Sequence, residues 1–319
     1  MPGNGNADGN GLKAKIDRFQ QEHTVPAFVY GIVKKYGDDQ GSYLAALITY
    51  YGFLSIFPLL LAFFTIAAWV LKGRESTLHT LEHHLGSYPI IGQAVTSLAG
   101  HTLSGSVLAL VVGLVGLILG AQGLAQTLIF VCDQIWNIPY HERISTLPKY
   151  LRGIEWYAVF GLGVIASTFL NSLARVLNWG PAGPYVAALP ALVVNIVLFA
   201  ISFRMLSNKA VPTRPLLPGA AVSGLIWTLL NTAAIGLTRH LANTNPLYGS
   251  FAGVLGLLAF IYLNARLTLY AAEANVVAHD RLWPRSLSRD TPTEADKRQL
   301  ENTAKRESRN PDATVSVEV

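Results

Sequence analysis

Residues 42–71 contain no charged side chain. The run exceeds the roughly 20 apolar residues that a helix needs to cross a bilayer. Yet its first half carries hydroxyls, a glycine and a helix breaker: Thr49, Tyr50, Tyr51, Gly52, Ser55 and Pro58. Pro58 has no N–H and crowds the carbonyl four residues back, at Leu54. In hydrocarbon a freed carbonyl must find a partner, such as Ser55, a neighbouring helix or a water. The expectation is a helix broken near its middle, packed inside a bundle or lining a cavity.

Five further apolar spans follow, giving six in all at 43–71, 106–131, 156–177, 185–206, 216–237 and 249–272. Only 13% of residues are charged and 51% are apolar. Soluble domains carry about 25% charged residues, so a water-soluble globule is excluded. The basic residues sort by segment. Five precede the first span (Lys13, Lys15, Arg18, Lys34, Lys35), three lie in the second loop (Arg143, Lys149, Arg152), three in the fourth (Arg204, Lys209, Arg214) and eight follow the last span. The alternate loops are poor: Lys72 and Arg74 in the first, Arg175 at the edge of the third, Arg239 in the fifth. The positive-inside rule then places both termini in the cytoplasm. The expected fold class is an all-α polytopic membrane bundle of six helices.

The domain plan reads 1–11 as a disordered N-terminus, 12–283 as the transmembrane domain and 284–319 as a disordered, charged cytoplasmic tail. Within 12–36, Val25, Val29 and Val33 recur every four residues, as do Phe28, Ile32 and Tyr36. This predicts an amphipathic helix, either at the cytoplasmic interface or packed on the bundle. The outer loop 75–105 predicts a short extracytoplasmic helical hairpin, with Leu78, Leu81 and Leu85 on one face. His79 and His83 share a face beside Glu82 and His84, but without a fourth ligand in view they read as a solvated surface rather than a metal site. The single cysteine, Cys132, excludes an intrachain disulfide.

Gly113, Gly116, Gly120 and Gly123 on the second span, and Gly249, Gly253 and Gly256 on the sixth, have the spacing of close helix packing. That packing is read as intramolecular, with a homo-oligomer seam as the alternative. Arg266 and Glu273 lie seven residues apart and share a face of the sixth helix. Ionisable residues at such depth usually face a bundle interior.

Several separated motifs resemble the YihY/BrkB family of bacterial inner-membrane proteins. They are Ala45 and Ala46 followed by Tyr50, Ser55, Phe57 and Pro58; Gln134 to Ile138 followed by His141, Glu142 and Arg143; Pro218, Gly219 and Ala220; and Tyr248 to Phe251, continuing through Tyr262 to Glu273 and Asn275. Where the family tends to read Gly-Ala-Glu, this chain has Ala271, Ala272 and Glu273. The resemblance implies six helices with both termini inside, and a suggested export of lipids or solutes. It makes Tyr50, Tyr51, Ser55, Pro58, Asn137, Arg143, Tyr248, Gly249, Arg266, Glu273 and Asn275 the candidate cavity or coupling residues. Their cavity is expected between the first, second and sixth spans, lined by Tyr50, Tyr51, Ser55 and Glu273. An older family label, ribonuclease BN, finds no chemical support here. The eight histidines fall on both sides of the membrane, and no clustered His/Asp metal set exists to activate water. No phosphate-binding Gly-x-x-x-x-Gly-Lys motif is present. The expectation is therefore no enzyme, no cofactor, no metal and no nucleic acid. Membrane lipids are the expected partners, with a lipid or small solute as substrate. A non-transporting scaffold is the alternative.

Overall fold

The computed structural model describes residues 5–70, 107–176, 183–241, 249–288 and 291–311. Nine α-helices and two short 3-10 turns make up these residues, with no strand among them. In chain order the helices are α1 (Gly5–Glu22), α2 (Thr24–Asp38), α3 (Gly41–Val70), α4 (Val107–Ile135), α5 (Thr146–Val176), α6 (Gly183–Leu206), α7 (Leu217–Leu241), α8 (Gly249–Asp280) and α9 (Glu294–Arg306). The predicted outer hairpin at 75–105 lies outside the described residues.

The shortest of α3–α8 has 24 residues. At 1.5 Å per residue it extends about 36 Å, against a hydrocarbon core of about 30 Å. Among the described residues, Leu189–Leu206 in α6 and Val254–Asp280 in α8 have the length and apolar content of a membrane crossing, and Gly41–Ile56 in α3 is a shorter apolar stretch. Each long helix packs on the next, and α8 returns to α3, so the six close a ring in chain order.

The surface of this ring is inverted relative to a soluble bundle. Leu189, Val193 and Val197 recur every four residues along α6 and are 64%, 59% and 49% exposed. Val222, Leu225 and Leu229 on α7 and Leu162 on α5 are exposed likewise. Contiguous apolar exposure on this scale is not maintained against water. Polar groups turn inward instead: Thr49, Ser55, Gln122, Thr127, Ser202, Ser223 and Asn264 are buried. Trp156 Nε1 donates to Ser202 Oγ at 2.9 Å, joining α5 to α6. Asn195 Nδ2 donates to Thr228 Oγ1 at 3.0 Å, joining α6 to α7. Each such bond is worth roughly 0.6–2 kcal/mol where lipid is the alternative.

Three expectations are corrected. α3 runs through Pro58 without interruption. Ser55 Oγ donates to the Gly52 carbonyl at 2.8 Å rather than to that of Leu54. The N-terminus expected to be disordered is helical from Gly5. The segment expected as a disordered tail contains α9, begun by a capping box between Thr293 and Asp296. Thr293-x-x-Asp296 is a helix-start signal legible in the sequence.

The start of α7 meets α8 at its closest approach. Gly219 N–H donates to Asn275 Oδ1 at 2.8 Å, and Asn275 Nδ2 donates to the Leu216 carbonyl at 3.2 Å. A Cβ on Gly219 would strike both the Asn275 amide and the Ala271 carbonyl. Gly219→Ala is therefore expected to destabilise the protein by about 1–3 kcal/mol. The check is the thermal midpoint in detergent, with Gly161→Ala, a helical glycine in open space, as the neutral control.

Candidate functional site

α2 ends in two adjacent lysines followed four residues later by two aspartates, and each lysine anchors a separate charge cluster. Lys35 is wholly buried. Its ammonium pairs with Asp39 one turn on, stands 3.0 Å from Glu273 Oε2 on α8, and donates to the Ile135 carbonyl at the end of α4 at 2.9 Å. Arg306, from α9, reaches Asp39 Oδ1 at 2.8 Å and the Gln134 carbonyl at 3.3 Å. Two cations thus face two carboxylates. Burying each ion costs several kcal/mol, which only close pairing offsets. Burial alone would depress the Lys35 ammonium, but Glu273 and Asp39 outweigh it and raise it above the usual lysine range. Glu273 Oε1 meets no donor among the described residues.

The second cluster gathers on Asp296, at the first turn of α9. Oδ1 accepts from Lys34 Nζ at 2.7 Å and Arg285 Nε at 2.5 Å. Oδ2 accepts from the Ser286 and Thr293 N–H groups at 2.9 and 3.0 Å. Arg285 also reaches Asp38 at 2.8 Å, and Asp17 of α1 accepts from the Leu287 N–H at 2.9 Å. Burial opposes ionisation of Asp296, but these donors prevail and hold its carboxyl well below the usual range. Together the two clusters fasten α1, α2, α4, α8 and the C-terminal segment into one clasp.

The second feature is an open cleft of about 470 Å³ between α3, α4 and the start of α5. It is lined by Leu47 and Tyr51 of α3; Gln122, Gly123, Gln126, Thr127 and Phe130 of α4; and Lys149 and Tyr150 of α5. Gln126 Nε2 donates to Gln122 Oε1 at 3.0 Å and to the Lys149 carbonyl at 3.3 Å; Gln122 Nε2 donates to the Tyr150 carbonyl at 3.2 Å. The two amides therefore fix the first turn of α5 against α4. The Tyr51 ring lies so close to Gly123 that a Cβ there would stand 2.6 Å from it.

The predicted site residues separate into distinct places. Tyr51 lines the cleft, while Tyr50 is exposed beside it and Ser55 is buried in α3. Pro58 is half-buried within the continuous helix. Glu273 belongs to the Lys35 cluster and not to the cavity, which corrects its expected position. Arg266 is exposed, its guanidinium 6.0 Å from the Tyr270 ring centroid. It shares an azimuth with Glu273, and between the two, Tyr36 of α2 stacks on Tyr270 with ring centroids 4.0 Å apart. Asn275 is a structural clamp on α7. Asn137 closes α4 in the left-handed region at φ 49°, its buried amide without a hydrogen-bond partner among the described residues. Arg143 holds the following loop through Gln134 Oε1 at 3.0 Å. Tyr248 lies outside the described residues. Gly249, Gly253, Gly113, Gly116 and Gly120 are helical, and their surroundings are outside the described set. Gly123 lies against the Tyr51 ring. Gly256 does not pack closely, because open space lies where its Cβ would be. The packing glycines missed by spacing are Gly219 and Gly224. A Cβ on Gly224 would stand 2.8 Å from the Ile196 backbone of α6. Lys34, Lys35, Asp38 and Asp39 were missed as a pair of clusters, although their i, i+4 spacing was visible.

A ring of apolar-faced helices with polar interiors, clasped by ion pairs at one end, is the architecture of an integral membrane protein. The chain matches the family described as Virulence factor BrkB over residues 32–297 and belongs to it. It is 26% identical over 279 residues to an uncharacterized protein of Dickeya dadantii, covering 78% of this chain and 83% of that one. It is 22% identical over 275 residues to the putative ribonuclease-like protein YfkH of Bacillus subtilis, covering 80% and 96%. It is 23% identical over 296 residues to the inner membrane protein YhjD of Escherichia coli, covering 85% and 87%. No solved structure matches the chain.

Lys35→Met leaves Glu273 buried opposite no cation and is expected to cost about 3–5 kcal/mol. Adding Glu273→Gln should recover part of that loss, read as thermal midpoints in detergent; an equal loss in both variants contradicts the pairing. The Asp296 carboxyl is lowered in the folded state, so its contribution is complete above the unfolded value of about 3.9. That contribution is lost as pH falls through the lowered folded value. Hydrogen-exchange protection of 284–311 is accordingly expected to stay level from neutral pH to about 5 and to fall below about 4. In Asp296→Asn it should already be reduced at neutral pH.

Proposed function

We propose that the chain moves a lipid or small solute across the bacterial cytoplasmic membrane, with α3–α8 as six crossings and both termini in the cytoplasm. The orientation rests on the basic residues of the second and fourth loops and the two terminal segments. On this reading α1 and α2 lie at the cytoplasmic interface. Ile16, Phe19, Val25, Val29 and Val33 are all exposed, an apolar row suited to the headgroup boundary. The adjacent row of α2, Phe28, Ile32 and Tyr36, about 60° round the helix, packs on the bundle. Both sequence readings of this helix then apply, one to each face.

The observation that carries the proposal is the cleft. It is open, partly polar, and set between helices whose outer faces are apolar. Its volume falls within the range of about 300–1,000 Å³ typical of small-molecule sites. Clustered metal ligands are missing among the described residues. The proposal includes no catalysis, and the ribonuclease wording stays with the Bacillus relative.

Purified protein in vesicles is expected to translocate at least one class of a panel of labelled lipids and small solutes above protein-free vesicles. Gly123→Leu, which places a side chain where the Tyr51 ring lies, should abolish that movement while the protein remains folded by its thermal midpoint. A panel that shows no movement with folded protein contradicts transport and leaves a scaffold.

A further inference from the structure

Among the described side chains lining the cleft, Lys149 is the single formal charge. It forms no ion pair among the described residues, although most cations of the neighbouring clasp do. Lys34, Lys35, Arg285 and Arg306 each stand within 3.0 Å of a carboxylate oxygen. Its own backbone carbonyl is held by Gln126 at 3.3 Å, so its position is set by α4 rather than left to a loop. The neighbouring groups divide by chemistry. Tyr51 and Tyr150 carry phenol hydroxyls that can donate, and no carboxylate is among the described lining residues. Leu47, Phe130 and the Tyr51 ring supply an apolar wall on the side of α3 and α4.

We propose that this cleft binds a phosphate-class anion carried on an apolar body, with Lys149 supplying the charge, Tyr51 and Tyr150 the hydrogen bonds, and Leu47 and Phe130 the apolar contact. The Asp133 carboxylate attracts Lys149 but makes no ion pair with it among the described residues, so an incoming anion that pairs directly relieves the cost of half-burying this cation. A phosphate also takes charge-assisted hydrogen bonds, about twice as strong as neutral ones. A free anion and the headgroup of a lipid share this chemistry. The apolar wall favours the amphiphile, because a free phosphate would leave Leu47 and Phe130 unused. The inference rests on the proposed transport only for its purpose: binding at the cleft stands or falls separately.

The test is a fluorescence titration of the purified full chain in neutral detergent with three probes: labelled phosphatidylglycerol, labelled phosphatidylcholine and inorganic phosphate as competitor. Labelled phosphatidylglycerol is expected to bind, Lys149→Gln to weaken it about tenfold, and Lys149→Arg to retain it. Phosphatidylcholine should bind the wild type about tenfold more weakly and be insensitive to Lys149→Gln. If inorganic phosphate displaces the labelled lipid at millimolar concentration and loses that ability in Lys149→Gln, the anion site is supported with a free anion as its ligand. Equal binding of the two lipids, or phosphatidylglycerol binding unchanged by Lys149→Gln, overturns the proposal. Running the same variants in the vesicle assay separates the two readings. Lys149-dependent binding without translocation sinks transport and leaves the site. Translocation indifferent to Lys149→Gln, alongside binding that is equally indifferent, sinks the site and leaves transport.

Discussion

The buried ammonium of Lys35 is the constraint on which the clasped end of this protein turns. A lone cation in that position would cost several kcal/mol, a large share of a domain's margin of about 5–15 kcal/mol. Its partners must therefore arrive from separate parts of the chain, and they do. Asp39 comes from the turn into α3, Glu273 from α8, the Ile135 carbonyl from the end of α4, and Arg306 closes the set by pairing with Asp39. Fixing one charge thus fixes the relative placement of four elements. It also explains why α2 lies against α8, and why Glu273 is buried while Arg266, two turns away on the same side, is exposed.

The two ends of α2 answer to different surroundings. Along its length one row of apolar residues packs inward and another stays exposed. At its end the lysine pair and the aspartate pair organise two clusters, one of two cations and two carboxylates and one of two cations and three carboxylates, counting Asp17. Above the clasp the logic reverses. The long helices expose valine and leucine and pair their few polar groups across helix contacts. The cleft falls where these regimes meet, with an apolar wall from α3 and α4 and a cation from the first turn of α5.

Much of this was legible in the sequence. The long uncharged runs gave the helices, and the two four-residue periods in α2 gave both of its faces. The motif residues gave the family. What was not legible came from two physical sources. Charge-rich composition in 284–311 read as disorder because single-residue polarity does not show that Arg285, Asp296 and Arg306 will each find a buried partner more than a hundred residues away or across a helix start. Composition measures the cost of burying charge and not its compensation. The second source is approach distance. Glycine spacing pointed to Gly256, where there is open space, and passed over Gly219 and Gly224, because a single close contact leaves no periodic trace. Pro58 taught the converse: a residue that removes a hydrogen bond need not interrupt a helix whose neighbours hold it. Of the four residues expected to line a cavity, Tyr51 alone lines the cleft, since the opposite wall, the amides of α4, follows from a pairing of helices that no local pattern encodes.

The account comes down to whether the cleft beside Tyr51 is a ligand site or a surface irregularity. An experimental structure of the full chain in a nanodisc containing phosphatidylglycerol decides this most directly. The account predicts ordered density for an amphiphile in the cleft, its head beside Lys149 and its apolar part leaving along Leu47 and Phe130, with the Lys35 cluster intact. A cleft closed by its own side chains, with lipid density confined to the outer faces of α6 and α7, would contradict it.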